Sequence, residues 1–209
     1  MGDPDILWRP PSDVRERTRV GDYLRWLEHE RGRSFAGYDE LWQWSVDDLA
    51  GFWGSVWEYF AISDRLPGDV LPDGRMPGAR WFPDALLNWA EQALRLRGRT
   101  NDDVVVVAHS QTRDPSTLTV AQLRDAVARA RSGLQRLGVA RGDRVAAYLP
   151  NIPEAVIGLL ATASLGAIWS SCAPEFGTRS VVDRFSQIEP RVLLAIDGYR
   201  YGDRVVDRR

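Results

Sequence analysis

The chain has 209 residues, a length typical of one domain or of one domain with an extension. Hydrophobic residues make up 44% of it and the formal net charge is −2, which argues against a basic surface for nucleic acid or an anionic membrane. All 27 basic residues are arginine, so chemistry that requires a lysine, such as a phosphate-binding loop ending in Gly-Lys-Ser/Thr, is excluded for these residues alone.

Helical patterns dominate the chain up to about residue 80. Four apolar residues at steps of three and four predict a helix that ends near Gly32. They are Val20, Tyr23, Leu24 and Leu27. Ser45 and Asp48 have the spacing of a capping box and predict the start of a further helix. Its apolar stripe comprises Val46, Leu49, Phe52, Trp53, Val56, Trp57 and Phe60. Because aromatic residues at helical spacing are usually core, Trp53 and Trp57 are predicted to be buried.

Short apolar strands alternate with amphipathic helices after a Gly- and Pro-rich loop, Leu66–Gly78. A helix is predicted over Phe82–Glu91, with Pro83 in its first turn. The β-branched run Val104–Ala108 predicts a buried strand. Thr119 is predicted to cap the next helix, which Gly138 ends. The residues of that helix predicted to face the core are Leu123, Val127, Ala130, Leu134 and Leu137.

The remaining sequence continues this alternation up to residue 209. Strands are predicted over Arg144–Leu149, Ala167–Cys172 and Val192–Ile196. Helices are predicted between an Asn151 cap and Gly166, and over Ser180–Ile188. The predicted fold class is therefore α/β: a helical amino-terminal extension, followed by an incomplete doubly wound, mostly parallel sheet.

Several site types are absent from the sequence. No Gly-x-Gly-x-x-Gly or Gly-x-Ser-x-Gly motif follows a predicted strand, which argues against a dinucleotide site and a hydrolase nucleophile. The single cysteine, Cys172, is predicted to be a core residue. With only two histidines, His29 and His109, no metal site is predicted. No signal peptide or apolar run of about 18 residues is present, so a cytoplasmic protein is expected, without membrane or nucleic-acid partners.

Other segments resemble a known family. Residues Met76–Glu91 are similar to the amino-terminal region of acetyl- and acetoacetyl-type acyl-CoA synthetases. Leu118–Leu123 and Leu137–Asn151 resemble the Thr-Tyr-x-Glu-Leu and Gly-Asp-Arg-Val patterns of the adenylate-forming superfamily. Within this superfamily, three further stretches resemble the acetoacetyl-CoA synthetases, and two more continue the match. The three are Leu7–Pro10, Tyr38–Ser45 and Trp169–Gly177, and the two are Asp183–Pro190 and Asp197–Tyr201.

The resemblance implies a two-step reaction in which ATP and a carboxylate form an acyl-adenylate, and the thiol of CoA then displaces AMP. ATP, Mg²⁺ and CoA are implied as cofactors of the full-length family, and acetoacetate, ATP and CoA as its small-molecule substrates. In the acetyl-type relatives, the nucleotide phosphates of CoA meet a loop with two closely spaced arginines, after the strand that corresponds to the last predicted one. The matching residues are Arg200 and, one position displaced from the pattern, Arg204.

The resemblance also implies a division of the chain. Residues 1–80 correspond to the Trp-rich helical extension, and residues 81–209 to the start of an AMP-binding domain. The family's phosphate loop and catalytic lysine have no counterpart here. This chain is therefore expected to be an amino-terminal part that is inactive alone, carries no bound cofactor, and has no catalytic residue of its own. The alternatives are a stand-alone interaction module and a partner-complemented half of a short-chain acyl-CoA synthetase.

Overall fold

The chain divides into two compact units, Met1–Leu86 and Leu87–Arg209. Among the described residues, the first unit has one buried hydrophobic cluster and the second has two. The computed structural model describes residues 10–63, 65–110 and 113–209. Residues 7–9, which belong to the first stretch of the family resemblance, lie outside these described residues. Each unit is considered by itself below.

The first unit is helical. Its helices are α1 (Val14–Arg17), α2 (Arg19–Arg31), α3 (Tyr38–Asp47) and α4 (Leu49–Tyr59). The predicted helix that ends near Gly32 is confirmed as α2, and Gly32 adopts the left-handed conformation, with φ of 59°, that commonly ends a helix. The buried residues of this core are Tyr23, Leu24, Leu27, Phe35 and Leu41. Val20, in the first turn of α2, is exposed.

The sequence predicts that a helix starts at a Ser45 cap. The structure instead has two helices, α3 and α4, which are separated at Asp48. The carboxylate of Asp48 accepts hydrogen bonds from the backbone N–H of Gly51, at 2.9 Å, and from Nε1 of Trp44, at 3.0 Å. Asp48 therefore caps α4, whereas Ser45 lies inside α3 and donates to the carbonyl of Trp42. The Ser45 cap is wrong because a carboxylate that serves two donors is a stronger acceptor than the Ser45 hydroxyl.

We expect Asp48→Ala to lower the free energy of unfolding by about 1 kcal/mol at pH 7, since it removes a helix cap. The hydrogen bonds from Trp44 and Gly51 hold the pKa of Asp48 below its usual range. A depressed folded-state pKa contributes stability that is complete above the unfolded pKa, about 3.9, and is lost as pH falls through the folded pKa. Urea unfolding should therefore show a smaller difference between wild type and variant at pH 3 than at pH 7. Asp47→Ala is the matched control, and an Asp48 effect that does not depend on pH would contradict this assignment.

The tryptophans of α4 differ in burial. Trp57 is 6% exposed, and its ring centre lies 4.6 Å from that of Phe82. Trp53 is 42% exposed and makes edge contacts with Phe52 and Trp81. The predicted burial is thus confirmed for Trp57 and wrong for Trp53.

The second unit contains the sheet. Its helices are α5 (Trp89–Arg95), α6 (Val120–Arg136), α7 (Pro153–Ser164) and α8 (Thr178–Ser186). Its strands are β1 (Val104–Ala108), β2 (Ser116–Thr119), β3 (Arg144–Tyr148), β4 (Ile168–Cys172), β5 (Val192–Ala195), β6 (Gly198–Tyr201) and β7 (Arg204–Asp207).

A parallel sheet of order β4-β3-β5 is the centre of this unit. Helices cover both of its faces, as a doubly wound fold requires. On one face Val145 packs with α6 and α7 in the main core. On the other face Phe185 of α8 packs with Ala146 and with Cys172, which is buried as predicted. The pairs β1–β2 and β6–β7 are antiparallel hairpins outside this sheet.

The capping box of α6 confirms one sequence prediction in detail. The Thr119 hydroxyl accepts from the backbone of Gln122, and the Gln122 side chain accepts from the backbone of Thr119. Two other features of these helices differ from prediction. Leu137, beyond the last turn of α6, is exposed. The helix expected over Phe82–Glu91 begins only at Trp89, because Asn88 caps it by accepting from the N–H of Glu91 at 3.1 Å.

Strand β1 also departs from the prediction of a buried strand. Val104 and Val107 are exposed, because β1 pairs with β2 alone and not with the parallel sheet. Only its partly buried residues Val105 and Val106 pack against the main core.

Candidate functional site

A cleft of about 900 Å³ opens at the carboxyl edge of the parallel sheet. The chain leaves β3 toward β4 and returns on the opposite side of β3 to form β5. In doubly wound folds, ligands bind in the crevice outside the carboxyl ends of the strands. The loops that follow β3 and β5 line the cleft, through residues 150–153 and 196–198.

One wall of the cleft belongs to the connection between β1 and β2. Its lining residues are His109, Ser110, Arg113, Asp114 and Ser116. Residues 111 and 112 lie outside the part of the chain that the structure describes. The sequence patterns do not predict this wall. His109 is distinctive in the sequence only as one of two histidines.

The loop after β3 contributes Asn151 and the start of α7. The sequence predicts Asn151 as the helix cap, but Ile152 occupies the cap position and provides no side-chain hydrogen bond there. Pro153 takes the first helical position, where its missing N–H costs no intrahelical bond. Asn151 instead lines the cleft, so the predicted cap is wrong.

The β6–β7 hairpin supplies the remaining wall, and Arg200 lies on it. Arg200 pairs across the ladder with Val205, so these two side chains share a face of the hairpin. Arg204 pairs with Tyr201, one position further along β6. Because successive side chains alternate across a strand, Arg200 and Arg204 lie on opposite faces. The structure therefore does not bring the two predicted arginines together, and of the pair only Arg200 is among the described residues that line the cleft.

Asp207 is the acidic residue of the same hairpin wall. Its carboxylate accepts from the Arg209 guanidinium, with the Nη2–Oδ2 distance at 2.9 Å, and from the Arg209 backbone N–H at 2.9 Å. These hydrogen bonds, first those of the guanidinium, lower the pKa of Asp207. The guanidinium of Arg209 thus neutralises the carboxylate of Asp207. The side chain of Arg200 forms no ion pair or hydrogen bond within the described ranges.

In the part of the chain that the structure describes, no three His, Cys, Asp or Glu side chains are grouped closely enough to hold a metal ion. No described helix is long and apolar enough to cross a membrane.

Comparison with protein families and known structures gives the identity of this fold. The family described as AMP-binding enzyme matches residues 91–208. The chain belongs to this family. A second family, described as the acetyl-coenzyme A synthetase N-terminus, matches residues 38–93.

Individual relatives of the AMP-binding family agree with this assignment. The acetoacetyl-coenzyme A synthetase of Rhizobium meliloti (strain 1021) is 41% identical over 96% of this chain and 31% of its own length. The acetoacetyl-CoA synthetase of Gallus gallus is 36% identical over 94% of this chain and 29% of its own. The structure of acetoacetyl-CoA synthetase from Streptomyces lividans superposes with a TM-score of 0.90 at 46% identity, covering 98% of this chain and 32% of that one.

The resemblance to acetoacetyl-CoA synthetases that the sequence motifs predict is therefore confirmed, and so is the α/β fold with a parallel sheet. The chain spans about a third of the length of these relatives.

Proposed function

We propose that this chain is part of an ATP-dependent acetoacetate–CoA ligase and that its own contribution is to the binding of CoA. The observation that carries the proposal is the superposition on the Streptomyces lividans acetoacetyl-CoA synthetase over 98% of this chain. We also propose that residues 1–80 form a helical extension and that residues 81–209 form the beginning of the AMP-binding domain.

The cleft supports a CoA contact at Arg200. CoA carries phosphate groups, and a guanidinium donates to phosphate oxygens through a planar fork. Arg200 lines the cleft without an intramolecular ion pair among the described residues, and the neighbouring carboxylate of Asp207 is engaged by Arg209. A single such contact contributes about 1.5–3 kcal/mol, which corresponds to weak binding by itself. We therefore propose that the chain alone binds CoA only weakly and does not retain it.

The residues of this chain do not fit the sites for ATP and Mg²⁺. The sequence contains no lysine, and the described residues contain no group of metal ligands. No adenylation step is assigned to this chain.

Arg200→Ala should raise the KM for CoA about tenfold when this chain's residues 81–209 replace the matching segment of a full-length relative, because a charge-assisted contact is lost. The ATP–pyrophosphate exchange reaction should change little, since CoA enters only in the second step. Arg204→Ala should have the smaller effect, because Arg204 lies on the opposite face of the hairpin. Steady-state kinetics with varied CoA and the exchange assay measure the two steps separately. Loss of exchange with an unchanged KM for CoA would assign Arg200 to folding or adenylation instead.

A further inference from the structure

Arg208 connects the β6–β7 hairpin to residues 173–177, the loop that follows β4. Its Nε donates to the carbonyl oxygen of Pro174 at 3.2 Å. Its guanidinium carbon lies 5.6 Å from the centre of the Tyr199 ring, in a cation–π arrangement. Its backbone N–H donates to the carbonyl oxygen of Asp197 at 2.7 Å, directly before β6. One residue thus contacts the loop, the hairpin and the segment that leads into the hairpin.

The Pro174 carbonyl is also bound to the central strand. The hydroxyl of Tyr148, the last residue of β3, lies 2.6 Å from this oxygen and 2.9 Å from the carbonyl oxygen of Phe176. Pro174 is buried, and a buried carbonyl requires hydrogen-bond partners. Tyr148 and Arg208 supply them from two different elements. The hairpin is therefore linked through Pro174 to the middle of the parallel sheet.

The hairpin depends on such a link because an isolated two-stranded hairpin is marginally stable in water. Strands β6 and β7 pair with each other and are not part of the parallel sheet. Arg200 is carried on β6, so the position of its guanidinium along the cleft depends on how the hairpin is held.

We propose that Arg208 is a positioning residue, which holds the hairpin in the place where Arg200 faces the phosphate groups of the ligand. This proposal rests on the proposed function. Arg208 acts through Arg200 and not by contact with the ligand, because its guanidinium is engaged by Pro174 and Tyr199. The register places Tyr199 on the opposite face of the hairpin from Arg200.

The first test needs no ligand. In the 209-residue chain, Arg208→Gln should increase the amide hydrogen-exchange rates of β6 and β7 at least about tenfold, because the hairpin opens more often. The exchange rates of β3 and β5 should not change. Arg136→Gln, which removes the same charge from the end of α6, should leave both sets of rates unchanged. Unchanged exchange in the hairpin of Arg208→Gln would overturn the proposal.

The second test measures coupling to Arg200. CoA is titrated into the ¹⁵N-labelled chain, and the initial slope of chemical shift against CoA concentration gives the relative affinity even when binding is weak. Suppose that in Arg208→Gln the hairpin places Arg200 toward the ligand phosphates only about one-fifth of the time. The slope should then fall about fivefold. Arg200→Ala should lower it about tenfold. The double variant should match Arg200→Ala alone, since Arg208 acts through that residue.

The outcomes separate this proposal from the proposed function. Effects that multiply in the double variant would show that Arg208 acts independently of Arg200, and would overturn the positioning role. A wild-type chain that shows no CoA-dependent shifts would contradict the proposed function. The exchange rates would then still decide whether Arg208 holds the hairpin.

Discussion

Trp57→Ala is expected to lower the free energy of unfolding of the first unit by about 3–5 kcal/mol, the range for a large buried aromatic residue replaced by alanine. The indole of Trp57 is buried against Phe82, and its Nε1 donates to the hydroxyl of Ser63 at 3.2 Å. The substitution removes this apolar contact and leaves a cavity. The hydroxyl of Ser63 also loses a hydrogen-bond donor. Urea unfolding followed by circular dichroism measures the change.

Trp53→Ala is the matched control, since it removes the same side chain one helical turn earlier in α4. With 42% of its surface exposed against 6% for Trp57, Trp53→Ala should cost less than Trp57→Ala. Equal losses for the two variants, or an unchanged midpoint for Trp57→Ala, would contradict the packing of α4 described above.

The second large expected effect is the absence of catalysis. Incubated with ATP, Mg²⁺, acetoacetate and CoA, the chain alone should release no pyrophosphate and form no acetoacetyl-CoA. Transfer of an adenylyl group requires stabilisation of the negative charge that develops on phosphoryl oxygens, by cations or a phosphate-binding loop. The sequence has neither a lysine nor such a loop.

Pyrophosphate release is measured with the heat-denatured chain as the blank and with a purified full-length relative as the positive control. Turnover by the native chain above the blank, at a rate proportional to its concentration, would contradict this expectation. It would also require a catalytic group that the sequence does not reveal.

Local capping signals predicted some helix boundaries and not others, for a physical reason. The side chains of Thr119 and Gln122 each accept a hydrogen bond from the backbone N–H of the other residue. The predicted start of α6 is therefore correct. Ser45 and Asp48 have the same spacing, yet Asp48 caps the following helix. The deciding interaction is the indole N–H of Trp44, one turn before Asp48, which a capping pattern does not include.

The parallel sheet could be predicted because its strands are apolar and alternate with amphipathic helices. The β6–β7 hairpin could also have been predicted. Gly202 and Asp203 form the two-residue turn, and Gly202 takes the positive φ, 56°, that such turns require. Arg200 and Arg204 lie on the two strands of this hairpin at adjacent register positions, so they point to opposite faces. The family resemblance implied instead that both lie in one loop.

The contacts of Tyr148 and Arg208 with Pro174 could not be predicted from a single sequence. They join residues that are 26 and 34 positions apart. No local pattern marks a side chain whose partner is a distant backbone carbonyl. The walls of the cleft likewise come from three separate segments, and the family resemblance implied a ligand contact only in the segment with Arg200.

Titration of CoA into the ¹⁵N-labelled chain, followed by amide chemical shifts, tests the central claim most directly. We expect shifts concentrated in the residues that line the cleft, 108–110, 113–114, 150–153, 196–200 and 205–207, and a strong reduction of these shifts in Arg200→Ala. Shifts located elsewhere, or cleft shifts that persist in the Arg200 variant, would contradict that claim.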